Sequence, residues 1–371
     1  MAISVAPVSG KKGLDEFLRL PFALYRGDPL WVPPVVAEVR RTLDPGRNPY
    51  FADASLRLFM AYRDGTPAAR LAVVVSRAHE RAFGVRTAFF GFFESANDEG
   101  AARRLFDEAE AYCRAGGVER LEGPFNPHHY SELGLQADMF GTAPSFFQAY
   151  NPGYYGELLG RAGFRVSARF LTMKNDDLEN TRFHRFGALT AATCRRGYSV
   201  RPFSLKERAR DLGFMREINN DAFAENWHFL PLSPEEYEFS AQHMGLVTRP
   251  GFIRFVEHHG RPVAVLHCVL DVNPLLRSWN GVAGPVKLLR FLRGRRTVKT
   301  IILFTAAIKK EYRRTYVSQL LLAEFCRLAR GFERAETTWM SPDNLPALRA
   351  AESLGMRPDK HFAMYAKELR P

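Results

Sequence analysis

Gly331-Phe332-Glu333-Arg334-Ala335-Glu336, late in the chain, repeats Gly117-Val118-Glu119-Arg120-Leu121-Glu122. The segments leading into the two copies also match, Ala109-Glu110-Ala111-Tyr112-Cys113-Arg114 against Ala323-Glu324-Phe325-Cys326-Arg327. Each copy is followed by an asparagine, a short helical stretch and a glycine: Asn151 to Gly163-Phe164, and Asn344 to Gly355-Met356. An apolar strand, 166–174 or 361–369, then closes the unit. A repeat of about half the chain is far longer than the roughly 20–50 residues of a solenoid. It predicts two copies of one α/β domain, at 1–174 and 198–371, joined by a linker at 175–197.

Composition fits that reading. The chain has 371 residues, 46% hydrophobic and 13% aromatic, enough for two packed cores. No apolar run approaches the roughly 18 residues that span a bilayer. The opening Met1-Ala2-Ile3-Ser4-Val5 lacks the pattern of a signal peptide. Cys113, Cys194, Cys268 and Cys326 are scattered, with no CxxC. The expectation is a cytoplasmic protein with neither disulfides nor structural zinc. The net charge of +12 favours an acidic partner, and ten lysines and arginines crowd between Lys287 and Arg314.

Apolar periodicity sets the element order. The first half reads as a strand at 3–8 and a helix at 14–25 that Pro21 is expected to break or kink. A hairpin of 56–63 and 68–76 turns at Asp64-Gly65. A strand at 86–94, a helix at 99–116, a strand at 118–124, a helix at 153–162 and the closing strand follow. The second half repeats this: a strand at 198–203, helices at 205–222 and 233–243, and a hairpin of 252–258 and 262–270 about His259-Gly260. It ends with a strand at 298–307, a helix at 315–330, a strand at 332–339, a helix at 344–354 and a last strand. A strand–helix–strand unit after a meander demands a mixed sheet, parallel in part. The fold class is therefore α/β of the α+β mixed-sheet kind, twisted and flanked by helices.

This order resembles the GCN5-related N-acetyltransferase (GNAT) fold, present twice. The likeness is closest from Ile301-Ile302-Leu303-Phe304-Thr305-Ala306-Ala307 through Glu311-Tyr312-Arg313-Arg314-Thr315-Tyr316-Val317-Ser318 to Asp343-Asn344. The first half carries segments similar to a bacterial tandem-GNAT family, among them Asp28-Pro29-Leu30-Trp31-Val32-Pro33-Pro34, Phe90-Gly91-Phe92-Phe93-Glu94 and Tyr150-Asn151-Pro152-Gly153-Tyr154-Tyr155. In that family a glycine-rich turn at a helix N-terminus holds the pyrophosphate of coenzyme A. Here the turn is degenerate, with Arg313 at its first basic position and Tyr316 and Ser318 at glycine positions. Ala351 stands where the family has a tyrosine that protonates the leaving thiolate. The matching turn of the first copy, Glu94-Ser95-Ala96-Asn97-Asp98-Glu99-Gly100, is acidic and is not expected to hold coenzyme A in the usual way.

The resemblance implies acyl transfer from a thioester, borne by acyl-CoA or by the phosphopantetheine of an acidic acyl carrier protein, to a small-molecule or peptide amine. No metal is implied. The candidate donor contacts are Arg313, Arg314, Thr315, Tyr316, Val317, Ser318 and Asn344. The candidate acid–base groups are Glu94, His128, Tyr154 and Tyr155. His128 lies in a loop, about 125–150, that is longer in the first copy: Glu122 to Gly163, against Glu336 to Gly355. Two rival readings stay open. One is an aminoacyl-tRNA-dependent transferase, although no basic run interleaved with aromatics marks a nucleic-acid partner. The other is a non-catalytic protein that kept the fold for ligand binding.

Overall fold

The computed structural model describes residues 2–126, 132–181 and 196–369, the side chain of His243 excepted. In chain order, β1 (Ile3–Pro7), α1 (Gly10–Leu24) and α2 (Val36–Thr42) precede the strands β2 (Ala54–Arg63) and β3 (Thr66–Ser76). Then come α3 (Arg77–Phe83), β4 (Thr87–Ser95), α4 (Glu99–Ala115), β5 (Arg120–Gly123), β6 (Leu135–Gln136), α5 (Tyr155–Arg161) and β7 (Arg165–Asn175). The second half runs through β8 (Tyr198–Pro202), α6 (Arg208–Ala222), α7 (Pro234–Val247), β9 (Ile253–His258), β10 (Arg261–Leu270), α8 (Asn273–Leu276) and α9 (Pro285–Gly294). It ends with β11 (Thr300–Ile308), α10 (Val317–Ala329), β12 (Arg334–Thr337), α11 (Leu345–Ser353) and β13 (Arg357–Glu368).

These elements form two compact units. Unit 1 is the chain up to Phe170 together with Asn273–Phe291 and the residues from Lys360 on; unit 2 is Leu171–Val272 with Leu292–Asp359. Neither is one continuous stretch. Unit 1 is completed by β13, the strand that the repeat assigns to the second half. Its sheet runs β1-β2-β3-β4-β5-β13, with β4/β5 parallel and the other pairs antiparallel. The sheet of unit 2 runs β8-β9-β10-β11-β12, with β11/β12 parallel, and ends on Lys174 and Asn175 of β7.

The repeated hexamer has the same job twice. α4 and α10 each end just before a left-handed glycine, Gly117 at φ +70° and Gly331 at φ +88°. A side chain there would be strained, so glycine lets the chain leave the helix and enter the parallel strand. Cys113 and Cys326 are buried at matching places on those helices, and Cys268 is buried too; Cys194 lies outside the described residues. In unit 1, α4 sets Leu105, Phe106 and Ala109 against Phe90, Phe93 and Phe164. Each such ring, fully buried, contributes about 1.5–3 kcal/mol. α1 packs on the sheet through Phe17, Leu18 and Leu20, beside Met60 and Ala72.

Two local features matter for the site. Pro21 does not break α1, which runs on to Leu24. The absent N–H of Pro21 instead leaves the Phe17 carbonyl without its helical donor. In β4 one extra residue opposes β3 near Phe92, a bulge with Phe92 at φ +50°. Just beyond, the strands cross closely: a Cβ on Gly123 would stand 2.2 Å from the Phe90 carbonyl oxygen. Gly123→Ala is expected to cost about 1–3 kcal/mol through overpacking. A urea-unfolding midpoint equal to wild type would refute that reading of the crossing.

Candidate functional site

The parallel strands part in both units. In unit 1, β4 and β5 are in register only over Thr87–Phe89 and Arg120–Glu122. After β5 the chain crosses β4: the Phe125 N–H donates to Phe90 O at 2.7 Å, and Asn126 Oδ1 accepts from the Phe92 N–H at 3.0 Å. β4 continues past this point to Ser95. In unit 2, β11 and β12 pair from Thr300/Arg334 to Leu303/Thr337, while β11 runs on to Ile308.

On the free end of β4 lies a cluster of ionisable groups. Glu94 is cross-strand partner to Arg70 of β3, and Arg70 Nη2 stands 3.8 Å from Glu94 Oε1. The Tyr25 and Tyr155 hydroxyls each donate to Glu94 Oε2 at 2.8 Å. Tyr155 Oη also accepts from the Ser95 N–H, and the Tyr154 hydroxyl donates to Ser95 O, both at 2.9 Å. Arg70, only 5% exposed, lies over the Phe17 ring and donates through Nη1 to Phe17 O, the carbonyl that Pro21 leaves free. A proline in α1 thus fixes a guanidinium that holds the carboxylate of β4.

Glu94 keeps 16% of its side chain accessible. Burial pushes its carboxyl above the ordinary range, and Arg70 and the two hydroxyls oppose that rise. Burial lifts the Tyr25 and Tyr155 phenols well above their usual value, and Tyr154 to about 12, so all three remain protonated donors near neutral pH. A recess of about 280 Å³ opens beside Tyr154, lined also by Asn97, Glu99, Glu157, Leu158 and Arg161.

The structure thus brings together three of the four acid–base candidates, Glu94, Tyr154 and Tyr155. His128 lies outside the described residues. Tyr155 is fully buried, with its hydroxyl committed to Glu94 and Ser95. Arg70 and Tyr25 were not among the candidates. Arg70 had a signal, an arginine inside the apolar run Ala68-Ala69-Arg70-Leu71-Ala72-Val73. Tyr25 had none. Unit 2 lacks the pair: the same bulge occurs in β10/β11, but there Leu266 faces Ala306.

The helix termini differ in the opposite sense. Asp98 caps α4, accepting from the Ala101 N–H at 3.0 Å, and the bond from Arg63 holds its carboxyl below the ordinary range. The amides that would receive a phosphate there already face a carboxylate. α10 begins after Tyr316 with no side-chain cap. Around it, Arg314 is exposed, Ser318 lies in the first turn, Thr315 Oγ1 donates to Tyr312 O, and the buried Val317 donates its N–H to Thr315 Oγ1 at 3.4 Å. Arg313 donates to Ala222 O at 2.6 Å and pairs with Glu225 at 3.5 Å; Lys310 also pairs with Glu225, and Lys309 with Glu217. Asn344 caps α11 through the Ala347 N–H. Among the described residues no group of three or more His, Cys, Asp or Glu is placed to hold a metal ion. None of their helices is long and apolar enough to cross a membrane.

No protein-family model matches the chain. It is similar to a bacterial ceramide synthase of Caulobacter vibrioides (strain NA1000 / CB15N), with 26% identity over 384 residues, 99% of this chain and 98% of that protein. Protein YghO of Escherichia coli (strain K12) is 24% identical over 372 residues, covering 97% and 94%. Among solved structures, a tandem GNAT protein from the clavulanic acid biosynthesis pathway superposes with a TM-score of 0.57 at 14% identity, covering 100% of this chain and 99% of that one. The fold is that of a tandem GNAT protein, two GNAT-type units in one chain.

Proposed function

We propose that the protein is an N-acyltransferase that moves an acyl group from a thioester to an amine, with Glu94 as the group that takes the amine proton. The observation that carries this is Glu94 itself. It is a carboxylate on the free end of a splayed GNAT strand, held by two phenols and an arginine, with one edge open. An ammonium must lose a proton before its nitrogen can attack a carbonyl. A carboxyl raised by burial is a better match for that proton than an ordinary one. Tyr25 and Tyr155 act as positioning residues that fix the carboxylate.

The donor is an acyl thioester of coenzyme A or of a phosphopantetheine arm. Within unit 2, the start of α10 suits a phosphate in its own right, with Ser318 and the neighbouring amides as donors and Arg314 as the exposed cation, separately from the Glu94 cluster of unit 1. Arg313 serves there by holding the turn to α6. The acid-capped start of α4 does not suit a phosphate. When bound, the donor supplies the activated carbonyl and a thiolate leaving group. A thiolate has an ordinary pKa near 8.5 and can depart without a protein acid.

For the acceptor we infer an amphiphilic amine. The full-length similarity to a ceramide synthase, whose name denotes N-acylation of a long-chain amino alcohol, supports this class over a peptide. The test incubates the protein with acyl-CoAs of increasing length and a long-chain amino alcohol, with amide formation followed by mass spectrometry. Amide is expected, and the thioester alone should raise the melting temperature, since a ligand of the folded state stabilises it. No thermal shift with any thioester and no amide from any amine would overturn the reading. Arg314→Glu is expected to weaken thioester binding at the α10 turn about tenfold or more, read as a smaller thermal shift at the same thioester concentration. An unchanged thermal shift would count against the α10 turn.

A further inference from the structure

One stretch of the chain carries charge of a single sign. Between Asp271 and Glu311 there is no acidic residue at all, while Arg277, Lys287, Arg290, Arg293, Arg295, Arg296 and Lys299 all lie there. Near the α10 turn, acids of the α6 region answer Lys309, Lys310 and Arg313. On α9 the balance is different. Lys287 donates to the Trp279 and Val282 carbonyls, and Arg290 and Arg293 are exposed, with no carboxylate partner among the described residues.

The same helix shows an apolar face to solvent. Phe291, 2% exposed, anchors its inner side against Trp279 with ring centroids 5.4 Å apart. At about 100° per residue, Val286, Leu289 and Arg293 point away from Phe291, with Leu288 and Leu292 on one flank and Arg290 on the other. The exposures agree: Val286 62%, Leu289 50%, Leu292 39% and Leu288 38%, with Val282 at 59% just before the helix. Single exposed apolar residues are ordinary, but a row of them along one helix marks an interaction surface.

We propose that α9 is an in-plane anchor for an anionic lipid bilayer. The leucines and valines of its outer face enter the boundary between headgroups and acyl chains, and Arg290 and Arg293 meet the phosphates. Charge complementarity selects this occupant. An outer face on which Val286, Leu289 and Leu292 stand beside Arg293, with Arg290 on the flank and no acid over Asn273–Lys310, matches a negatively charged headgroup layer above hydrocarbon. The inference stands apart from the acyl-transfer reading, since none of these residues belongs to the proposed site.

The experiment is flotation of the full chain with vesicles of phosphatidylcholine alone, and with about one quarter phosphatidylglycerol. Wild type is expected to float with the anionic vesicles and to be left behind by the neutral ones. Leu289→Glu and the double variant Arg290→Glu/Arg293→Glu are each expected to weaken partitioning about tenfold or more, since each basic group near such a surface is worth about fivefold. These side chains are exposed, so circular dichroism and melting should match wild type. Wild type failing to float with anionic vesicles overturns the proposal, and so does Leu289→Glu floating as wild type does. A concentration-dependent dimer in sedimentation velocity that Leu289→Glu converts to monomer also overturns it, because the face would then belong to a second copy.

Discussion

Glu94→Gln is expected to lower kcat by about 10²–10⁴-fold, the usual contribution of a positioned proton acceptor. Glutamine keeps the shape and still accepts from Tyr25 and Tyr155, so KM should change little and the fold should persist. The pH profile carries the diagnostic information. In wild type, kcat should climb as pH rises through the elevated pKa of Glu94, because only the carboxylate accepts a proton. In the glutamine variant that limb should vanish. The residual rate should instead follow the fraction of acceptor amine that is already neutral, so the defect shrinks at alkaline pH. Steady-state rates across the pH range check this. A variant that keeps the wild-type limb and rate would remove Glu94 from the mechanism.

Arg70→Met should be the most destabilising of the substitutions considered, at about 3–5 kcal/mol, the range for breaking a buried ion pair on one side. Two groups lose a partner together, the Glu94 carboxylate and the Phe17 carbonyl. The effect has a definite pH sign. Removing the guanidinium takes away the main charge that holds the Glu94 pKa down, so it climbs further. A carboxyl with a raised folded-state pKa contributes stability below its unfolded value and loses it as pH rises through the folded value. The variant should therefore lie closest to wild type in mild acid and fall away from it toward alkaline pH. Adding Glu94→Gln to Arg70→Met should recover much of the loss, as the apolar Leu266–Ala306 pair at the same place in unit 2 suggests. Denaturant unfolding of the two single variants and the double variant, at two pH values, measures it. Additive losses in the double variant would deny the coupling.

The fold could be read from the sequence because its signals are local. Asp64-Gly65 and His259-Gly260 set both hairpins, with all four residues at positive φ. Gly117 and Gly331 end matching helices. The closing strands could not be read so. Met364 packs as well in one mixed sheet as in another, and no periodicity tells which unit a strand will join. The site divides in the same way. Glu94 was legible as the end of a strand next to a turn, and Tyr154-Tyr155 as a helix start. Tyr25 reaches Glu94 from 69 residues away. The use of Pro21 was also hidden: a helix breaker in sequence becomes, in three dimensions, the reason a carbonyl is free to receive Arg70. α9 was seen only as charge, because its apolar residues read as ordinary core until their exposure is known.

The late position of β13 also governs how the protein is made. Gly123 of β5 takes its antiparallel neighbour from Tyr365. At about 5–20 residues per second, a ribosome delivers that partner roughly 10–50 seconds after the strand it must cover. Until then the flank of β5 is an open hydrogen-bonding edge in a nascent chain, the kind of surface that pairs with strangers. The first unit begun is thus among the last to be finished, and a stalled or shortened transcript would leave it unsealed whatever the condition of the sequence already translated.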